Sequence, residues 1–140
     1  MSVIVTDAGF ASDDWSHGFV SPDDAAAETG SGLDLSADAD PEAFRGRLDA
    51  IPLIRVGFPK SADGRGFTIG RRLRLMGYKG RLRAKGHVIA DQYAMARRSG
   101  FDEVEIGEEL AKRQPEEQWR ARADWRAHDY QSRLRSAAFS

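Results

Sequence analysis

The feature that most constrains the fold is a strand, loop and helix pattern that repeats between residues 53 and 106. The first strand is apolar on both faces, which is typical of a central parallel strand. Gly77 and Gly100 follow the two helices in the position that favours glycine. Consecutive βαβ units with short loops predict a parallel sheet with right-handed crossovers. The predicted strands are residues 53–58, 81–84 and 102–106, and the predicted helices are residues 67–76 and 88–99.

The flanking segments are less regular. A short strand is predicted at residues 3–6 and another at 32–36, whereas residues 7–31 lack periodicity and are expected to form loop. A helix over residues 41–50 would begin at Pro41 with Asp40 as its N-cap. A C-terminal amphipathic helix of about twenty residues is predicted from Pro115 onward. Its apolar stripe contains Trp119, Ala123, Ala127, Tyr130, Leu134 and Ala138.

These patterns predict a single α/β domain over residues 1–140. Its core would be a small parallel sheet of consecutive βα units, either half-barrel-like or open, with the extra C-terminal helix. The expected segments are an acidic, loop-rich part (1–31), the βα core (32–106) and a helical end (107–140). The length suits one domain. The C-terminal stripe could pack on its own sheet or on another subunit, so the oligomeric state stays open.

Charge is distributed very unevenly along the chain. The first 44 residues contain ten Asp or Glu and no Lys or Arg, a net charge of −10. Residues 55–100 contain twelve Lys or Arg and two Asp, a net charge of +10. The net charge of −1 is therefore the sum of an acidic part and a basic part of the chain. The basic part predicts a binding site for an anion. The acidic half could equally neutralise it within the molecule.

The composition excludes several kinds of chemistry. The chain has no cysteine, which rules out disulfides, thiolate catalysis and cysteine-ligated zinc or iron–sulfur sites. Its three histidines form no close-spaced pair, so we expect no metal and no cofactor. The N-terminus lacks the basic region of a signal peptide, and no apolar run is long enough for a membrane span. We therefore expect a cytoplasmic protein without membrane contact.

The loop over residues 59–66 is the leading candidate for an anion site. In a parallel α/β sheet, ligands gather where the carboxyl ends of strands meet the N-termini of the following helices. Lys60 and Arg65 supply charge, and Arg65 can hold an oxyanion through two parallel hydrogen bonds. Asp63, Gly64 and Gly66 complete the predicted loop. The alternative is a plain turn in which Asp63 caps the helix or pairs with Arg65. The loop matches no nucleotide-binding motif.

The next strand and helix carry the candidate catalytic residues. Arg83 lies inside a strand, where an unpaired charge is costly, so it should pair with an acid such as Asp91 or point into the anion site. Asp91 and Gln92 begin the following helix, where Asp91 could cap it, pair with Arg83 or act as a base, and Gln92 is a candidate anion-binding residue. His87, in the strand-end loop Lys85-Gly86-His87, is the candidate proton shuttle. A purely structural role is the alternative for each.

A cluster of basic residues lies on the predicted helix 67–76 and the strand after it. It could be a solvated face, or a footprint for nucleic acid or an acidic protein. No aromatic residues are interleaved for base stacking, and no helix-turn-helix pattern is present, so nucleic acid is the less favoured partner. The cluster consists of Arg71, Arg72, Arg74, Lys79 and Arg81.

The run FPKSADGRGFTIGRRLR…GYKGRLRAKGHVIADQ…ARRSGFD is similar to an uncharacterised bacterial family, domain of unknown function nine-three-four. That family is often labelled an oxidoreductase probably involved in sulfite reduction. The resemblance covers residues 53–106 and departs from the family pattern at Ser61 and Ser99, where Phe and Cys are usual. It carries over Phe58, Pro59, Asp63, Gly64, Arg65, Arg83, Gly86, Asp91 and Gln92.

The resemblance implies a role in assimilatory sulfate reduction and cysteine synthesis. We expect an accessory protein that binds a small oxyanion, with sulfite reductase or its electron donor as partner. The alternative is a small enzyme acting on a phosphorylated or sulfur-containing metabolite, with Asp91 or His87 as acid or base. A nucleic-acid binder ranks lowest. No recognisable electron-carrier site accompanies the oxidoreductase label.

Overall fold

The computed structural model describes residues 2–22, 30–60 and 63–125, which form a mixed α/β fold. In these ranges, seven strands form one sheet. The strands are β1 (Ser2–Thr6), β2 (Gly9–Ser12), β3 (Phe19–Val20), β4 (Gly32–Leu35), β5 (Leu53–Phe58), β6 (Arg81–Gly86) and β7 (Glu103–Gly107). The α-helices of these ranges are α1 (Arg65–Leu75), α2 (Tyr93–Arg98), α3 (Glu108–Arg113) and α4 (Glu116–Arg120). Short 3-10 helices span Pro41–Phe44, Leu48–Ala50 and Ala90–Gln92.

The sheet is largely parallel, as the repeated βαβ pattern predicts. The strand order is β2-β1-β7-β6-β5-β4-β3, and β3 to β7 pair in parallel with their neighbours in the chain. The purely parallel prediction was wrong at one edge, where β1 runs antiparallel to both β7 and β2. No helix in the described residues is long and apolar enough to cross a bilayer.

One face of the sheet holds the hydrophobic core. Side chains alternate along each strand, so Ile54, Val56 and Phe58 of β5 all point to the same face. They are fully or almost fully buried against apolar residues of α1, including Phe67 and Leu73. Because successive parallel strands are neighbours, their crossovers place the helices on this one face.

The opposite face of the sheet is charged. Asp34, Arg55, Arg83 and Glu103 lie in register across β4, β5, β6 and β7 and form one row of side chains. Glu105 of β7 joins the row by accepting hydrogen bonds from Arg55 and Arg83 at 3.2 and 2.8 Å. Arg83 is fully buried there. The sheet therefore packs apolar side chains on one face and an ion-pair network on the other.

The N-terminal segment contains two strands that the sequence did not predict. Residues 9–12 form β2 on the antiparallel edge, and residues 19–20 form β3 on the parallel edge. Both are too short, at four and two residues, to show a hydrophobic alternation of their own. Their hydrogen-bonding partners in the sheet define them.

Three predicted helices differ from the structure. The helix at 41–50 is two 3-10 helices, because Gly46 adopts a left-handed φ of +84° between them, although Asp40 caps the first as predicted. The helix at 88–99 is a 3-10 turn followed by α2.

The long C-terminal helix is also not observed as predicted. It begins after Pro115, as predicted, but α4 ends at Arg120 and residues 121–125 are not helical. The separate helix α3 ends before Pro115, which disfavours a helical conformation of the preceding Gln114. Trp119 of the predicted stripe is buried. Residues 127–138 of that stripe lie outside the described residues.

Candidate functional site

A groove lies at the carboxyl ends of β4, β5 and β6, where the parallel sheet predicts a ligand site. It has a volume of about 650 Å³. Its charged lining residues are Asp34, Asp38, Arg65 and Lys85. Ser21, Ser36, Gly57, Pro59 and Gly86 also contribute to the lining. We refer to this cavity as the edge groove.

Arg65 enters the edge groove from the first residue of α1, and Asp63 fixes its direction. The Arg65 Nε donates to the Asp63 carboxylate at 2.9 and 3.1 Å, and its Nη2 donates to the same carboxylate at 2.6 Å. Asp63 also accepts from the Arg65 backbone N–H at 3.1 Å. These hydrogen bonds from Arg65 hold the pKa of Asp63 down at about 2. Asp63 is thus a permanent counter-ion that orients the guanidinium.

A second carboxylate reaches the opposite side of the same guanidinium. Asp38, in the turn that follows β4, accepts a hydrogen bond from the Arg65 Nη1. The Asp38 side chain is 79% exposed, whereas that of Asp63 is 7% exposed. The two carboxylates therefore differ in how readily water or a solute can reach them.

Lys85 supplies the second positive charge of the edge groove. It lies on the charged face of β6, two residues beyond Arg83, and its side chain is exposed. No carboxylate of the described residues lies within ion-pair distance of its ammonium group. An oxyanion in the groove can therefore accept charge-assisted hydrogen bonds from Lys85 and from Arg65.

Two glycines allow the backbone segments around the edge groove to approach each other closely. A Cβ on Gly66 would lie 2.4 Å from the Phe58 ring, so the residue lets α1 approach β5 closely. Gly86 has a φ of +112°, and a Cβ there would lie 2.6 Å from the Phe58 carbonyl oxygen. Of the predicted loop glycines, Gly64 precedes α1 as its N-cap, and Gly66 is buried inside the helix. Gly66 therefore belongs to the packing of α1.

Lys60 lies beside the edge groove, and its side chain is not among the lining residues. Its backbone carbonyl accepts a hydrogen bond from the Asp63 N–H at 3.0 Å, which closes the turn before α1. Ser61 and Ala62, between them, lie outside the described residues. Of the two cations that the sequence grouped together, the structure therefore places only Arg65 in the lining of the edge groove.

Arg83 lies on the face of the sheet opposite α2 and does not pair with Asp91. Its Nε donates to Glu103 at 2.5 Å and its Nη1 to Glu105 at 2.8 Å. Asp13, from the segment after β2, accepts from Nη1 and Nη2 at 3.2 and 3.1 Å. Burial alone would lower the pKa of Arg83, but these carboxylates outweigh it and raise the pKa. Arg83 is therefore not a lining residue of the edge groove.

Asp91 and Gln92 lie on the helix face of the sheet, away from Arg65. Asp91 is exposed and pairs with Arg122. The Gln92 side-chain oxygen accepts from the Ile89 N–H at 3.0 Å and so caps the start of the 3-10 helix. The geometry brings neither side chain to the groove.

His87 opens into a separate cavity of about 560 Å³ between the ends of β6 and β7. Glu109 and Arg113 of α3 are the other charged lining residues, and Ile89 and Leu110 are apolar ones. The two predicted catalytic residues, His87 and Asp91, are not brought into one described cavity. We refer to this cavity as the His87 cavity.

The acidic and basic halves of the sequence are combined in the fold. Every described acidic residue among the first 44 forms an ion pair with an arginine of residues 55–100. The pairs are Asp7–Arg97, Asp13–Arg83, Asp14–Arg81, Asp34–Arg55, Asp38–Arg65, Asp40–Arg72 and Glu42–Arg72. Arg72 and Arg81 of the basic cluster are thereby neutralised, and Arg74 pairs with Asp102. The intramolecular alternative for the charge asymmetry is therefore the observed one.

The sequence missed the contribution of the segment after β4. Ser36 and Asp38 line the edge groove, yet Ser36 was predicted only as the end of a strand and Asp38 was assigned no role. The available signal was position, because this segment follows a parallel strand next to β5. Lys85 was placed at the correct edge but was not included among the predicted anion-binding residues.

Within the described residues, no group of three or more His, Asp or Glu side chains is arranged to hold a metal ion.

The sequence of the chain matches a known protein family. Residues 32–139 match the model of a family described as "Bacterial protein of unknown function (DUF934)". The match spans most of the chain, which belongs to this family. The comparison with curated proteins and the comparison with solved structures found no match.

Proposed function

We propose that this protein is an accessory component of assimilatory sulfite reduction that binds a small oxyanion in the edge groove. The observation that carries the binding part is the presence of Lys85 and Arg65 in one groove at the carboxyl edge of a parallel sheet. The link to sulfite reduction rests on the resemblance of residues 53–106 to the family pattern. The proposed macromolecular partner is sulfite reductase or its electron donor, in the cytoplasm.

Two features of the groove support an oxyanion as the ligand. The Lys85 ammonium group has no carboxylate partner among the described residues, so an anion there would neutralise an existing charge. The Arg65 guanidinium is oriented in advance by Asp63, so a ligand need not order it. Sulfite, sulfate and phosphate each carry several oxygens that can accept charge-assisted hydrogen bonds from such groups.

A small enzyme is the second candidate, and the His87 cavity favours it. His87, Glu109 and Arg113 provide a proton carrier, a carboxylate and a cation around one space. We rank it lower because Asp91, the other candidate acid or base, pairs with Arg122 elsewhere. Nucleic-acid binding ranks lowest, since carboxylates already neutralise much of the basic cluster.

The binding proposal is tested by titrating the full chain with sulfite, sulfate and phosphate in a calorimeter. Replacing Lys85 with glutamine should weaken binding about tenfold, because one charge-assisted hydrogen bond is lost. Lys112→Gln is the matched control, since Lys112 is an exposed lysine of α3 outside the groove. Equal affinities of the Lys85 variant and the parent protein would contradict the proposed site.

The pathway proposal is tested by deleting the gene in its bacterial host and supplying single sulfur sources. Growth on sulfide and cysteine, without growth on sulfate or sulfite, is the expected result. Complementation with the Lys85→Gln gene would then show whether the groove is needed for the role. Normal growth of the deletion strain on all four sources would contradict an essential role in sulfite reduction.

A further inference from the structure

We propose that Asp38 is a built-in competitor for the edge groove, which an incoming oxyanion must displace from Arg65. This inference rests on the proposed oxyanion site and adds how that site is regulated. The juxtaposition that carries it is an exposed aspartate from the turn after β4 on the groove-lining guanidinium of α1. Nothing in the spacing of the two residues in the sequence indicated this contact.

The two carboxylates on Arg65 have different roles. Asp63 holds the Nε and Nη2 edge of the guanidinium and is almost completely buried by that contact. It is also bonded to the Arg65 backbone N–H, so it belongs to the start of α1. Asp38 holds only Nη1, and its side chain is 79% exposed. Asp38 is therefore the carboxylate that a solute can replace without disturbing the helix.

The same conclusion follows from the charges around the groove. Asp34 is matched by Arg55, and Asp63 is matched by Arg65. What is left is one negative charge on Asp38 and one positive charge on Lys85. An oxyanion that bridges Lys85 and the Nη1 edge of Arg65 takes the position of the Asp38 carboxylate. If Asp38 stayed, it would repel the ligand at short range.

A tethered group that competes for the same site weakens the binding of a ligand by a definite factor. Binding requires the Asp38–Arg65 contact to break. The observed association constant is therefore the intrinsic one multiplied by the fraction of molecules in which that contact is already broken. An exposed ion pair of this kind changes an equilibrium by only a few-fold. Removing the charge of Asp38 should therefore strengthen oxyanion binding by about two- to fivefold.

The test compares sulfate and phosphate affinities of Asp38→Asn and the parent protein by calorimetry at constant ionic strength. The matched control is Asp14→Asn, since Asp14 is an exposed aspartate, 69% accessible, paired with Arg81 outside the groove. We expect tighter binding for the Asp38 variant and unchanged binding for the Asp14 variant. The backbone amides of Ala37 and Ala39 should also shift on ligand addition to the parent protein, because the turn is released.

Failure of this inference is distinguishable from failure of the proposed function. If the parent protein binds sulfate or phosphate and the Asp38 variant binds no more tightly, Asp38 is not a competitor, although the site stands. An equal gain in oxyanion affinity in the Asp14 variant would show that the effect comes from the overall net charge of the protein. That result would also overturn the inference. If neither the parent nor the Asp38 variant binds any of these anions, the proposed oxyanion site itself is wrong.

Discussion

At the scale of single residues, Arg83 is the clearest case of a charge that the fold makes indispensable. Its guanidinium is fully buried and contacts three carboxylates, of which Glu103 and Glu105 are themselves only 4% exposed. Removing Arg83 would leave Glu103 with Arg81 and Glu105 with Arg55 as their remaining cationic partners, so two buried carboxylates would be only partly compensated. The role of Arg83 is therefore structural.

Replacement of Arg83 with methionine should lower the free energy of unfolding by about 3 kcal/mol, because Glu103 and Glu105 lose their fully buried counter-ion and keep only the more exposed Arg81 and Arg55. Urea denaturation followed by circular dichroism measures this. Arg45→Met is the control, since the Arg45–Glu42 pair is exposed and close in sequence. It should change stability little. Similar unfolding midpoints for the two variants would show that the network does not stabilise the fold.

Asp63 predicts a pH dependence whose sign follows from its pKa. The pKa of Asp63 is lowered to about 2 in the folded chain by its hydrogen bonds to Arg65, compared with about 3.9 in an unfolded one. The group therefore contributes stability above pH ~4 that is lost as the pH falls towards ~2. Asp63→Asn should lack this part of the acid dependence in unfolding measurements. Arg65→Gln should lack it as well, and parallel curves for the parent and both variants would contradict the assignment.

At the scale of elements, the parts of the chain that lie furthest apart are joined near α2. The Tyr93 hydroxyl of α2 donates to Asp7, in the turn between β1 and β2, at 2.5 Å. Glu116 of α4 accepts from the Phe10 N–H of β2 at 2.8 Å. Trp119 of α4 packs edge-on against the Tyr93 ring at 6.2 Å. The antiparallel edge of the sheet and the short C-terminal helices therefore belong to the core.

Trp119→Ala should consequently destabilise the protein by about 3–5 kcal/mol, as expected for loss of a large buried aromatic side chain. Its indole is 1% exposed and donates to the Gln114 carbonyl at 2.9 Å. Leu75→Ala is the control, because Leu75 is 81% exposed. It should change stability by less than about 0.5 kcal/mol. Thermal unfolding of both variants provides the comparison, and a small effect at Trp119 would place α4 outside the cooperative unit.

How much of the fold could be predicted depended on whether its signal was local. The strands β5, β6 and β7 and the helix α1 carry their own periodicity, and the prediction found all four. β2 and β3 are defined by partners distant in the chain, and Gly46 divides a segment that otherwise reads as a continuous helix. The long C-terminal helix was over-predicted because its apolar stripe continues past Arg120, where α4 ends and residues 121–125 are not helical.

The candidate site shows the same division. Its edge of the sheet and Arg65 follow from the βα order, and both were predicted. Asp38 reaches Arg65 from 27 residues away, which no local pattern reveals. Arg83 pairs with acids, as one of its two predicted alternatives had it, but the partners are Glu103 and Glu105 instead of Asp91. Alternation along β6 and β7 was sufficient to identify them.

At the scale of the whole molecule, the opposite charges of the two halves largely pair with each other in the folded chain. All seven described acidic residues of the first 44 pair with arginines of the basic half, from Asp7–Arg97 to Glu42–Arg72. Asp23, Asp24 and Glu28 lie outside the described residues. Because these pairs neutralise so much of the basic half, its net charge does not itself define a binding surface. The proposed oxyanion site depends on local geometry in the edge groove.

The most direct test of that claim is a titration of the nitrogen-15-labelled protein with sulfite, followed by amide chemical shifts. Saturable shifts should concentrate at Ser36, Gly57 and Gly86, which line the edge groove, and Lys85→Gln should need about tenfold more sulfite to reach the same shifts. Saturable shifts centred on Arg71 and Lys79, or small unsaturable shifts over the whole surface, would contradict a defined oxyanion site at the carboxyl edge of the sheet.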